Sequence, residues 1–190
     1  MKMTDEISKA YLESKVVMKG DYPYFINPIC DGNPPITKDL LESITDRILE
    51  QGRIDCDVIL APEAMAIPYA SALTLRTGIP FQIIRKRSHG LPGELCFDQT
   101  TGYSKGSMYL NFIDKGTRVV VVDDVFSTGG TMRAIVQTLR SNGIIVNEVI
   151  IVLNKSRNIA AFSEELCVPI RTVIDVSVED GKPVILSKND

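Results

Sequence analysis

The amino-acid sequence predicts an α/β protein built on a doubly wound, open parallel sheet. Valines occupy all of positions 119–122, and a strand with no polar side is one covered on both faces, as parallel strands under helices are. From residue 57 onward, strand-like and helix-like segments alternate, which implies parallel pairing through right-handed crossovers. The chain of 190 residues is 44% hydrophobic and 24% charged, with no repeat or low-complexity tract, so it can bury a substantial core.

The elements follow in order. Residues 20–36 contain Gly20, Pro23, Pro28, Gly32, Pro34 and Pro35 and read as irregular, yet they carry Tyr22, Tyr24, Phe25 and Ile26. Those apolar side chains need either the core or a ligand. Leu40, Leu41, Ile44, Ile48 and Leu49 stand at helical spacing over 38–50, with Thr37 as N-cap and Gly52 just past the end. Residues 57–61 form a short buried strand and 64–75 a helix stopped near Gly78 and Pro80, followed by a strand over 80–84. The segment 86–109 holds Gly90, Pro92, Gly93, Gly102 and Gly106, and a connection of that length is commonly a lid or binding loop. Beyond the valine strand come a helix over 131–139, an apolar strand over 144–153, a helix over 159–166, and strands at 170–178 and 184–186. Ligands bind beyond the carboxyl ends of such strands. Functional residues are therefore expected after Leu60, Ile84, Val122 and Leu153.

Composition narrows the function classes. A net charge of −3 argues against a nucleic-acid surface. Cys30, Cys56, Cys96 and Cys167 are scattered, without zinc or redox spacing, and are expected to be reduced thiols. The N-terminus has no apolar signal core, so a cytoplasmic protein is expected. The single histidine, His89, lies in a glycine-flanked loop and reads as solvent-facing.

After the valines stand Asp123, Asp124, Val125, Phe126, Ser127, Thr128, Gly129, Gly130 and Thr131, and then a helix. Small residues let backbone N–H groups approach an anion closely, and the helix N-terminus adds partial positive charge. Ser127, Thr128 and Thr131 add hydroxyl donors, while adjacent carboxylates suit ribose hydroxyls. One loop thus offers both halves of a ribose 5-phosphate site. A Walker A loop would need Lys after its last glycine, and a dinucleotide fingerprint would need three spaced glycines; neither is present. A plain helix-capping turn leaves the density of acids, hydroxyls and glycines unexplained.

Residues 119–131 resemble the signature of type I phosphoribosyltransferases, which bind 5-phosphoribosyl-1-pyrophosphate (PRPP). The resemblance implies the type I phosphoribosyltransferase fold, with Asp123 and Asp124 on the ribose hydroxyls and the turn from Ser127 to Thr131 on the 5-phosphate. It covers most of the chain and is strongest at 118–134. It implies that Glu63, Ala64 and Met65 form a second loop meeting pyrophosphate, often through a non-proline cis peptide, although adenine-using members usually have Arg where Met65 stands. Arg85 and Lys86 would meet the same pyrophosphate. Leu91, Pro92, Gly93 and Tyr103 resemble the mobile loop of the purine enzymes, with Tyr103 among the catalytic residues; Gly102 replaces the glutamate usual in adenine enzymes. Phe25, Ile26, Asn27 and Lys155 resemble the hood over the base in the xanthine- and hypoxanthine-using branch, where Lys155 would donate to a purine O6/N7 edge. Some purine members have Asp where Ser127 stands, which leaves the base's proton acceptor unassigned.

The archaeal hypoxanthine enzymes are the members this sequence resembles most. The resemblance implies one phosphoribosyltransferase domain over 1–190, with a hood segment and leading helix at 1–56, a core at 57–178, the 86–109 loop and a closing hairpin at 179–190. It also implies a homodimer, Mg²⁺ carried mainly on PRPP oxygens, and transfer of ribose 5-phosphate to a 6-oxopurine in purine salvage. The alternatives are an adenine phosphoribosyltransferase or a PRPP-sensing regulator without turnover. Such regulators carry a DNA-binding domain, and the proline-rich segment before the first core strand is too short for one.

Overall fold

A computed structural model describes residues 5–20, 22–100 and 105–188. Its elements are α1 (Glu6–Leu12), β1 (Lys15–Lys19), β2 (Tyr22–Ile26), α2 (Pro28–Asp31), α3 (Lys38–Glu50), β3 (Val58–Pro62), α4 (Ala66–Thr77), β4 (Phe81–Ile84), β5 (Leu95–Thr100), β6 (Lys105–Leu110), β7 (Arg118–Phe126), α5 (Gly130–Ser141), β8 (Ile145–Asn154), α6 (Ile159–Leu166), β9 (Ile170–Glu179) and β10 (Lys182–Lys188).

The central sheet has the order β10-β9-β8-β7-β3-β4. All pairs are parallel except β10 with β9, so the antiparallel strand closes one edge. The valine run explains the layering. Side chains alternate across a strand, and Val120 and Val122 enter one core with Ile44, Ile48, Tyr69 and Leu73, while Val119 and Val121 enter the other with Ile135, Val136 and Leu139. Helices α1, α3 and α4 thus cover one face and α5 and α6 the other. The doubly wound expectation holds.

Chain direction reverses between β3 and β7. From β3 the chain moves outward to β4, and from β7 it moves the other way through β8 to β9. Such a switch point opens a crevice at the strands' carboxyl ends. Here β3 pairs with β7 only as far as Val121, whereas β7 continues along β8 to Phe126.

Four departures from the sequence reading have physical causes. Strand β7 runs through both acids rather than ending at Val122, because Asp123 pairs with Ile151 and Val125 with Leu153 on β8. Residues 22–26 are a strand, not irregular chain: β2 pairs with β1 in a separate two-stranded ribbon, where Pro23 faces Met18, and a ribbon edge tolerates a residue with no N–H to donate. The segment 86–109 contains the hairpin β5–β6, anchored by buried Phe97, Met108 and Leu110. Helix α1, unanticipated, is capped by Asp5, which accepts from the Ser8 N–H; its Tyr11 hydroxyl donates to the Ser177 carbonyl at 2.6 Å. All four cysteines are free thiols. Among the described residues no helix is long and apolar enough to cross a membrane.

Candidate active site

The crevice at the switch point holds a cavity of about 330 Å³. On one side lie Pro62, Glu63, Ala64 and Met65, where the chain leaves β3. On the other lie Asp123 to Met132, where it leaves β7, and the ribbon closes the top with Tyr22, Pro23, Tyr24 and Phe25. Lys86, Cys30 and Met108 complete the wall.

Both flanking loops lead straight into helices that lack a side-chain cap. Met65 precedes α4 and Gly129 precedes α5, and neither side chain bonds the first-turn N–H groups. Uncapped N–H groups and the positive end of the helix dipole are an anion's natural partners. The Glu63–Ala64 peptide is cis, as the resemblance implied, and the Glu63 carboxylate accepts from the Lys86 N–H at 3.1 Å, joining the loop after β3 to the residues after β4.

Gly129 is fixed by two constraints. Its φ of 75° lies in the left-handed region, where a side chain costs about 1–2 kcal/mol. A Cβ there would also stand 2.1 Å from Cζ of Phe162. Phe162 packs edge-on against Phe126 with centroids 5.1 Å apart, and the Arg133 guanidinium lies over the Phe162 ring, 4.4 Å from its centroid, held by Glu165 at 2.7 Å. Helix α6 therefore underpins the turn.

The two acids have unusual electrostatics. Asp123 is buried at 9% exposure, and its own carboxylate accepts the Asp124 N–H at 3.0 Å. Burial, then the neighbouring Asp124 charge, raises the Asp123 pKa well above the carboxylate range, with Lys86 partly offsetting this. Burial pushes Asp124 up to about 6, against hydrogen bonds from Cys30 and backbone that favour its charge. Burial, followed by the acids' charges, likewise pushes the Cys30 thiol up. Two adjacent buried carboxyls that resist ionisation make a site in which hydroxyl donors or a cation would favour the charged form.

The sequence-derived site residues do not all fall in one place. Asp123, Asp124, Ser127, Thr128, Gly129, Gly130, Thr131, Glu63, Ala64, Met65, Lys86 and Phe25 all line the one cavity. Arg85 lies beside it, in an adjoining open depression with Glu63, Arg87, Ser88, His89 and Leu91. Tyr103 lies outside the described residues. The base end needs correction at Asn27, which is fully buried. Its carbonyl caps α2 by accepting from Ile29 and Cys30 N–H, and its amide donates to Ser14 Oγ at 3.0 Å. A side chain so committed holds the hood together and is not free to read a base. Ile26, next to it, is not part of the cavity wall either.

Lys155 occupies an intermediate position. Its ammonium donates to the Pro23 carbonyl at 2.7 Å and lies 4.2 Å from the Tyr22 ring centroid and 5.2 Å from that of Phe25. It therefore stands behind three residues of the cavity wall. Sequence reasoning missed Cys30 and Met108, which carry no local signal. It flagged Tyr22 and Tyr24 only as apolar residues in need of a partner.

Known proteins match this chain along nearly its whole length. Residues 33–167 match the family model described as a phosphoribosyl transferase domain. A hypoxanthine/guanine phosphoribosyltransferase of Methanohalophilus mahii is 44% identical over 184 residues, which is 96% of this chain and 96% of that protein. One from Methanothermobacter thermautotrophicus is 42% identical over 180 residues, covering 95% and 93%. Among solved structures, the adenine phosphoribosyltransferase of Trypanosoma brucei, in complex with AMP, pyrophosphate and ribose 5-phosphate, aligns with a TM-score of 0.71. It is 23% identical and covers 90% of this chain and 79% of that one. The adenine phosphoribosyltransferase of Thermoanaerobacter pseudethanolicus aligns at 0.69, also with 23% identity, covering 89% and 99%. At such identities these structures speak for the fold alone, and it is the fold the sequence led us to expect.

Proposed function

Since the chain belongs to the phosphoribosyl transferase family, we propose that it transfers ribose 5-phosphate from PRPP to a 6-oxopurine, hypoxanthine or guanine and possibly xanthine as a third acceptor, in purine salvage. One observation supports this reading: the buried pair Asp123 and Asp124, the 127–131 turn and the aromatic ribbon residues Tyr22 and Phe25 all line a single cavity. The relatives named for hypoxanthine and guanine support the choice of base.

In the reaction the bond from C1 of PRPP to pyrophosphate breaks and a purine ring nitrogen bonds C1, releasing its proton. Positive charge grows on the ribose and negative charge on the leaving group. Ionised Asp123 and Asp124 accept from the ribose hydroxyls and fix the sugar. Backbone N–H groups at the start of α5, with Ser127, Thr128 and Thr131, hold the 5-phosphate. Those at the start of α4, with Lys86 and Arg85, stabilise the departing pyrophosphate, and such preorganised donors account for most of the acceleration in sites of this kind. Mg²⁺ fits here because a buried carboxylate pair offers hard oxygen ligands and needs countercharge. Bound mainly through PRPP oxygens, with Asp123 and Asp124 to hand, it would neutralise charge on pyrophosphate.

The base would stack against Tyr22 and Phe25. An ammonium has three N–H donors, so Lys155 can keep its bond to Pro23 and give a second to a 6-oxo group, which the amino group of adenine could not accept. Tyr103 completes the reading as a residue of the closing 86–109 loop, which would exclude water from PRPP. The enzyme is taken to work as a cytoplasmic homodimer.

The test is pyrophosphate release from PRPP and Mg²⁺ with hypoxanthine, guanine, xanthine and adenine. Turnover with the 6-oxopurines is expected. Turnover with adenine alone would reassign the base, and PRPP binding with no release for any base would leave a sensor rather than an enzyme. Lys155→Ala should raise KM for hypoxanthine about tenfold or more, the worth of a hydrogen bond to a charged group, while PRPP binding changes little. Equal loss of both would show that Lys155 serves only the fold.

A further inference from the structure

Tyr22 links the ribbon to the start of the 127–131 turn. Its hydroxyl is 3.0 Å from Ser127 Oγ, across 105 residues of sequence, and Ser127 opens the phosphate turn. Its ring carries the Lys155 ammonium at 4.2 Å, and Lys155 in turn holds the next ribbon residue through the Pro23 carbonyl. The Lys155 N–H donates to the Phe126 carbonyl at 2.7 Å, so Lys155 and Ser127 both flank Phe126. The ribbon β1–β2 forms a sheet of its own. Two strands alone are marginally stable in water, so ties of this kind decide where the ribbon sits.

We infer that Tyr22 is a positioning residue through which occupation of the phosphate turn closes the hood over the base. This rests on the reading of residues 127–131 as the 5-phosphate site. The sign of the coupling follows from donor and acceptor chemistry. Either hydroxyl can donate in the free protein, so the bond has no fixed direction. Phosphate oxygens at pH 7 chiefly accept, so a bound 5-phosphate draws the Ser127 proton to itself. Ser127 Oγ is then left as an acceptor, and Tyr22 becomes the donor in a chain that runs from Tyr22 through Ser127 to phosphate. Hydrogen bonds aligned head to tail polarise and strengthen one another. Sugar phosphate therefore tightens the bond that holds the ribbon, and the base meets a hood that is already ordered.

Hydrogen exchange of residues 15–26, measured by mass spectrometry with and without saturating ribose 5-phosphate, tests this without any base. In the wild-type protein ribose 5-phosphate should slow exchange of the ribbon about fivefold or more, the scale of a typical coupling between sites. Tyr22→Phe keeps the ring under Lys155 and removes only the hydroxyl. It should bind ribose 5-phosphate about fivefold more weakly, the reciprocal of that coupling, and at saturation lose most of the added protection. A purely structural tyrosine would instead speed ribbon exchange equally in the free and bound protein, and that result overturns the proposal. Equal ligand-induced protection in both proteins, or none in the wild type with ligand bound, overturns it too. Failure of ribose 5-phosphate to bind wild-type protein at all would instead remove the phosphate-site reading beneath it.

Discussion

One wall of the cavity takes Asp123 to Thr131 from one unbroken stretch of chain, whereas another takes Tyr22 to Phe25 from the N-terminal ribbon, backed by Lys155 from the end of β8. The first is an extension of the core. Strand β7 carries the acids past β3 while still paired to β8, and α6 supports the turn from behind. The second is assembled from side chains that also hold the hood in place: Asn27 caps α2, Lys155 ties down Pro23, and Tyr22 reaches Ser127. On the function proposed above, the sugar phosphate would meet a wall built into the sheet and the base one hung from a small ribbon, which could vary without disturbing the first.

Removing the acids should have the largest effect. Replacing Asp123 and Asp124 together by Asn should lower kcat about 10²–10³-fold, as loss of preorganised transition-state partners does. The same pair makes opposite demands on stability and binding. The Asp124 pKa is about 6 in the folded protein, above its value in an unfolded chain, so the folded state holds that proton more tightly. The resulting stability is present below the ordinary carboxylate range and is lost as pH rises through 6. PRPP affinity should move the other way, rising as the carboxyl ionises between pH 5 and 7. The protein with both acids replaced by Asn should therefore melt at nearly the same temperature at pH 5 and pH 8, while the ligand-free wild-type protein melts about 2–4 °C lower at pH 8. Identical melting shifts in both proteins would show that the acid pair carries no such cost.

Gly129→Ala should come next. Backbone strain and the collision with Phe162 should together cost about 2–4 kcal/mol of stability by urea denaturation and weaken ribose 5-phosphate binding more than base binding. Adding Phe162→Ala should restore only the part due to the collision, since the left-handed backbone remains. Full recovery would mean that the ring alone selects glycine.

Asn27→Ala should have the smallest catalytic effect and so sharpens the contrast best. Loss of the α2 cap should cost about 1–2 kcal/mol of stability and leave the ratio of kcat/KM values for hypoxanthine and guanine unchanged. A changed ratio would return Asn27 to the base site.

The difference in architecture also explains what the sequence could convey. The phosphate turn was legible because acids, hydroxyls and glycines that act together are also adjacent, and α3 was legible over 38–50 because its apolar spacing and its Thr37 cap are local signals. The ribbon was not. Pro23 and Gly20 argued for irregular chain, and nothing near them reveals that β1 is the partner. Asn27 resembled a base contact because an Asx residue before Pro28 fits a cap or a ligand equally well; only the positions of Ser14, Ile29 and Cys30 decide between them. Glycines at 90, 93 and 106 concealed a hairpin whose anchors, Phe97 and Met108, face a core formed elsewhere in the chain.

The Phe162 ring beneath Gly129 has a practical consequence for inhibitors. If the 127–131 turn holds a 5-phosphate as proposed, a phosphonate or sulfonate replacing it would meet an aromatic floor, itself braced by Phe126 and by Arg133 with Glu165. Substituents grown in that direction would collide with the ring, whereas the ribbon side of the wall offers tyrosines and a proline to a lead compound.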